Sequence, residues 1–215
     1  MAKHIFITKP GDRVRLEPAD EYNHPPESAS NFNESAYYNI YDARQQVGGW
    51  FRIGNRVNEG HAEVSICLYL PDGKVGFMYH RAQISSNAEH SAGGARFEIV
   101  EPFKRQRVTY SGKIAVLANP NDMLNPAKAF KENPILDCEV ELDYSGLSPM
   151  YGGEHLNEDG SPIELDTQTA MARAHFEQHV AARGRIRVGE QSWQIDGLGL
   201  RDHSWGPRYW QNIYW

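Results

Sequence analysis

The stretch Gly197-Leu-Gly-Leu-Arg-Asp-His-Ser-Trp-Gly-Pro-Arg-Tyr-Trp210 packs two arginines, an aspartate, a histidine, a tyrosine and two tryptophans into fourteen positions, punctuated by three glycines and a proline. A plain core strand cannot hold Arg201, Asp202, His203 and Arg208 unless each finds a partner. A solvated loop would waste the apolar area of Trp205 and Trp210. The composition instead fits the wall of a pocket, where aromatic packing holds polar groups that aim inward. In extended backbone, side chains alternate, so Arg201, His203 and Trp205 share one face while Asp202 and Ser204 share the other. Asp202 is the expected partner that sets the charge and tautomer of His203. The alternative is a structural Arg–Asp pair, with His203 as a supporting strut.

Upstream, the pattern of strands is dense. Residues 180–188 and 191–200 form an expected hairpin around Gly189-Glu190, whose second arm delivers Arg201 through Trp205. Residues 61–70 alternate cleanly: Ala62, Val64, Ile66, Leu68 and Leu70 make one face and His61, Glu63, Ser65, Cys67 and Tyr69 the other. Pro71-Asp-Gly-Lys74 turns this strand into the next, giving a β-meander. Aromatics at 32, 37, 38 and 41 and the run from Gly48 to Val57 supply earlier strands. Gly48-Gly49 and Gly93-Gly94 are expected to mark bulges or bends. Further strands are expected at residues 95–100, 107–118 and 135–144. Asn125 as an N-cap before Pro126 predicts a short helix ending before Pro134. The outward polar residues, Arg52, Arg56, Glu59 and Glu63 among them, read as a solvated face with cross-strand ion pairs, or as polar groups between two barrels. His24, before two prolines, is either a plain loop histidine or a lid group over a barrel mouth.

The run from Gly197 to Arg208 resembles the signature of the AttH-like and carotenoid 1,2-hydratase-like proteins, through Arg201-Asp-His-Ser-Trp-Gly206. The resemblance implies an all-β, antiparallel lipocalin-like (calycin) β-barrel, followed at the C-terminus by the start of a second similar barrel. The expected division is residues 1–166 for the first domain and 167–215 for the beginning of the second, with the longest irregular connection between Ser145 and Asp166. The hydratases' catalytic His-x-Trp pair matches His203 and Trp205. Their later tyrosine and aspartate have no counterpart before Trp215. Expected catalytic residues are His203, Asp202 and Trp205; expected substrate-binding residues are Arg201, Arg208, Tyr209 and Trp210.

The chemistry so implied is proton transfer to a hydrophobic, isoprenoid- or steroid-like molecule, in a hydratase, isomerase or cyclase. The alternative is a lipocalin-like carrier that binds a hydrophobic molecule without reaction. No cofactor is expected. His175 and His179 share a helical spacing, but the glutamate between them is misplaced for a zinc peptidase motif, so no metal is expected. Residues 167–179 either start a helix capped by Asp166 or already feed the second barrel.

A net charge of −6 argues against a general nucleic-acid binder. No apolar run approaches the length that spans a membrane. Cys67 and Cys138 sit singly in apolar-patterned segments, which fits free thiols in a reducing cytoplasm. Residues 208–215 are too aromatic for a solvated tail and are expected to form a strand covered by further chain or by another copy.

Overall fold

The computed structural model describes residues 5–6 and 13–210; the remainder of the lead-in and residues 211–215 of the expected terminal strand lie outside the described residues. The expected alternations become strands. They are β1 (Ile5–Phe6), β2 (Val14–Arg15), β3 (Phe32–Asp42), β4 (Val47–Arg56), β5 (His61–Tyr69), β6 (Val75–Gln83), β7 (His90–Ala92), β8 (Ala95–Glu101), β9 (Arg105–Leu117), β10 (Ile135–Gly146), β11 (Met150–His155), β12 (Ala174–Val188) and β13 (Gln191–Pro207). The one α-helix among the described residues, α1 (Pro126–Glu132), starts as expected, with the Asn125 side chain accepting from the Lys128 N–H.

Pairing runs β12-β13-β3-β4-β5-β6-β9, and β10 joins β9 back to β12, so eight strands close into an antiparallel ring. Eight strands enclose a bore that side chains can fill. β9 meets β6 over only three residues; its other half pairs with β8, and the β7–β8 hairpin extends the wall there. That hairpin turns at Gly93-Gly94, both with positive φ, so these glycines make a tight turn rather than a bend within a strand.

The apolar face of β5 points into the barrel: Ala62, Val64, Ile66 and Leu68 have no solvent exposure. They meet Tyr38, Phe51, Ile53, Val140, Leu142, Tyr144 and Ile186 in one continuous core. The bore is therefore packed with side chains along this length. A smaller cluster, Leu16, Met150, Ala174, Phe176 and Trp205, fills one end of the barrel. Over that end lies the segment 16–31, with a 3-10 turn at Pro18–Glu21.

Three expectations are corrected. The boundary after residue 166 does not separate two sheets, because β12 and β13 pair with β10 and β3 and complete the first ring. The interval 145–166 contains β11, hidden in the sequence by its Gly152-Gly153 pair. Gly152 has φ 99°, and an added Cβ would lie 2.3 Å from the His175 carbonyl, so a loop-like composition here serves close strand approach. Of the two readings left open for residues 167–179, the helix does not form, and residues 174–179 belong to β12. At 208–210 the chain leaves regular structure, so the expected terminal strand does not begin there.

Candidate functional site

The period of two along β13 carries Arg201, His203 and Trp205 into the capped end of the barrel, all nearly inaccessible, as the alternation predicts. Opposite them β3 sends Phe32, Glu34, Ala36 and Tyr38 inward, and Glu34 faces Trp205 directly across the ladder.

Glu34 is the hub. Its Oε1 lies 2.6 Å from His203 Nε2 and 3.0 Å from His24 Nδ1. Its Oε2 accepts from the His24 backbone N–H at 3.1 Å and from Asn87 Nδ2 at 3.4 Å. His24 continues outward to Asp20, with Nε2 3.3 Å from Oδ1. A chain of hydrogen-bonded side chains thus runs from the buried His203 through Glu34 and His24 to Asp20 on the segment that caps the barrel. The His24 ring also stacks on Trp205, with centroids 3.9 Å apart and planes 13° from parallel.

The protonation pattern follows from these contacts. Burial alone would raise the Glu34 pKa, but the two imidazoles overcome it and hold the carboxyl down to about 2. An ionised carboxylate only accepts, so both ring nitrogens facing it carry hydrogens. His24 is opposed by burial, yet hydrogen bonds to Asp20 and Glu34 raise it to about 9, making it an imidazolium at neutral pH. The cation stacked on Trp205 is thus His24 itself, in a cation–π contact. His203 thus donates from Nε2 to Glu34 Oε1. His90 completes the cluster: its Nε2 is 3.3 Å from the Glu34 carbonyl, its ring meets His203 edge-on at 5.5 Å, and burial pushes it down to about 4, so it is neutral.

The expected residues divide sharply. His203 and Trp205 come together. Asp202, adjacent in sequence to His203, points to the outer face, where burial raises its pKa; Glu34 takes the role expected of it. Arg201 faces inward but is fully engaged. Its guanidinium bonds Glu21 at 2.6 and 3.1 Å and Gln178 at 2.9 Å, both groups inaccessible, which ties the capping segment to the barrel. Arg208 and Trp210 lie on the outer face with Asp202, and the Tyr209 backbone N–H bonds the Ala170 carbonyl. Glu34 and Glu21 are the groups that sequence reasoning missed, while His24, open there as a loop histidine or a lid group, lies at the capped barrel end against Glu34 and Trp205. A signal existed for Glu34, a carboxylate on the apolar side of an alternating strand.

Among the described residues, His24, Glu34 and His203 are the set whose ligand atoms a metal ion could bridge, lying within 4.8 Å of one another. The same atoms already satisfy one another by hydrogen bonds. His175, Glu177 and His179 lie along one strand, with His175 Nε2 3.6 Å from Glu177, and do not converge as two ligands on a helical face would. A cavity of about 330 Å³ opens beside β11 and β12, lined by Val14, Tyr151, Met171, Arg173 and Ala174. Its lining strand pairs with β13, Ala174 opposite Trp205 and the Arg173 N–H donating to the Trp205 carbonyl at 2.7 Å, but the lining includes the outward Tyr151 and His175 and none of Glu34, His24, His203 or Trp205.

Residues 17–215 match the family described as Domain of unknown function (DUF7064), and the chain belongs to that family. No curated protein matches. A crystal structure of a candidate AttH from Nitrosomonas europaea superposes with a TM-score of 0.58 at 12% identity, covering 94% of this chain. The chain spans 58% of the length of that protein. At this identity the likeness shows the fold, which is that of the AttH-like lipocalin barrel.

Proposed function

We propose that this DUF7064 member is an enzyme that moves a proton onto or off a hydrophobic, isoprenoid- or steroid-like molecule, as a hydratase, isomerase or cyclase does. The observation that carries the reading is Glu34 Oε1, which accepts from two imidazoles at once inside the capped barrel end. A buried carboxylate held ionised between two histidines is costly as mere structure, and such arrangements mark sites of proton chemistry.

In this reading His203 Nδ1 exchanges the proton with the substrate, Glu34 holds the ring and stabilises its cationic form, and His24 with Asp20 connects the carboxylate to the surface. Phe176 and Trp205 pack around the imidazole at 5.4 and 5.6 Å and limit water at the reacting atom. Because His24 covers one face of Trp205, a substrate cation is left the edge and the other face of the indole. The carrier alternative is disfavoured by the filled bore, where a lipocalin would hold its ligand.

The test is deuterium uptake from D2O into a panel of isoprenoid alkenes, enols and epoxides, read by mass spectrometry. His203→Gln should slow the active member by about 10²–10⁴-fold, the usual contribution of a general acid–base group. Equal uptake by the variant, or none by the unaltered protein across the panel, would refute the proposal.

A further inference from the structure

The outer face of the same strands carries a second concentration of charge. Across the ladders, Ser204, Ser35, Gly54 and Glu63 form one row, and Asp202, Tyr37, Arg52 and Ser65 the next. An outward face of a barrel is normally wet, yet Ser35, Ser65 and Asn33 here are buried. Arg52 donates to Ser35 Oγ at 3.1 Å and to Glu63 at 3.3 Å, and its Nη2 has no partner among the described residues. Arg208 donates to Ser204 Oγ at 2.7 Å and, among the described residues, has no carboxylate within ion-pair distance and leaves its Nε without a partner. Both guanidiniums flank the Trp210 ring, at 5.1 and 4.9 Å. Asn33 is 1% exposed and neither of its side-chain polar atoms is bonded. Gly54 makes room for both groups: a Cβ there would stand 2.4 Å from Arg52 Nη2 and 3.0 Å from Asn33 Oδ1, so the two unpartnered side chains meet over the same backbone.

Two half-buried guanidiniums, each with an open nitrogen, beside an unbonded amide fit an oxyanion, because arginine N–H groups match the geometry of carboxylate and phosphate oxygens. An apolar track leads away from them. Tyr37, which pairs with Arg52, stacks on Trp50 at 6.2 Å, and Trp50 meets Phe77 edge-on at 6.3 Å. We infer that this face binds an amphipathic oxyanion, a carboxylate carrying an apolar chain, with its head at Arg52 and Arg208 beneath Trp210 and its chain along Tyr37 and Trp50. The site lies on the face of β13 opposite His203 and does not rest on the acid–base reading.

Calorimetric titration with dodecanoate, dodecan-1-ol and dodecyl phosphate, below their micellar concentrations, tests it. Dodecanoate should bind at least about tenfold more tightly than the alcohol, and Arg208→Gln should reduce the acid to the level of the alcohol while the alcohol itself is unchanged. His203→Gln should leave all three affinities as they were. Tighter binding of dodecyl phosphate than of dodecanoate would keep the oxyanion site and assign its head group as phosphate. Equal binding of acid and alcohol to the unaltered protein, or no binding of either anion, overturns the inference, and this comparison stands even if Arg208→Gln fails to fold.

Discussion

Replacing Glu21 by glutamine separates a structural arginine from a substrate-binding one. Glu21 accepts four hydrogen bonds, two from Arg201, one from the Phe103 N–H at 2.7 Å and one from Gln106 Nε2 at 3.1 Å. Arg201 has fewer alternatives: without the carboxylate it retains Gln178 Oε1 and a weak contact to the Met150 sulfur. Glu21→Gln therefore leaves a buried guanidinium uncompensated, at a cost of about 3–5 kcal/mol. For a chain of this size that corresponds to a fall in Tm of roughly 6–20 °C, at about 2–4 °C per kcal/mol. Arg201→Met should cost less, because Glu21 keeps the Phe103 and Gln106 donors. The double variant Glu21→Gln/Arg201→Met should recover part of the loss, since no charge is then left unpaired. Urea unfolding of the two single variants and the double variant measures all three. A double variant as unstable as the sum of the singles, or a Glu21→Gln loss below about 1 kcal/mol, would refute the account of Arg201 as the tie for the capping segment.

Stability should depend on pH at both ends. The His24 pKa is raised to about 9, so its contribution is complete below the ordinary histidine value and is lost as pH rises through about 9; His24→Phe should flatten that alkaline limb in urea midpoints taken between pH 6 and 10. Glu34, depressed to about 2, contributes above the ordinary carboxylate value, and that stability should drain away as pH falls from about 4.5 towards 2. Burial pushes the Cys67 and Cys138 thiols up to about 11 and 12, so both should resist alkylation at pH 8 in the native protein and react in urea. Gly184→Ala should destabilise the β10–β12 ladder by about 1–3 kcal/mol or more, because φ is 153° there and the added Cβ would lie 1.9 Å from the Glu141 carbonyl; an unchanged melting temperature would sink this reading.

What the chain discloses before its fold is known is set by the range of each signal. Period-two alternation acts within one strand, so the faces of β5 and β13 were legible, including the companionship of Arg201, His203 and Trp205. The partner of His203 was not, because adjacency in sequence drew the reading to Asp202, while a strand sends neighbours to opposite faces. Glu34 is 169 residues away and reaches the imidazole only through ring closure, which brings β3 beside β13. The same holds for Glu21 and Arg201, 180 residues apart. Yet Glu34 left a local trace: it stands on the side of its strand otherwise taken by Phe32, Ala36, Tyr38 and Ile40. An ionisable group on an apolar face has to be answered from somewhere else in the chain. The inward arginine and histidine of β13 were asking the matching question. Pairing unanswered charges on inward faces, rather than pairing neighbours, would have joined His203 to Glu34 before any strand order was known. It would also have left Asp202 to the outer face, where Arg52 and Arg208 stand with N–H groups still open.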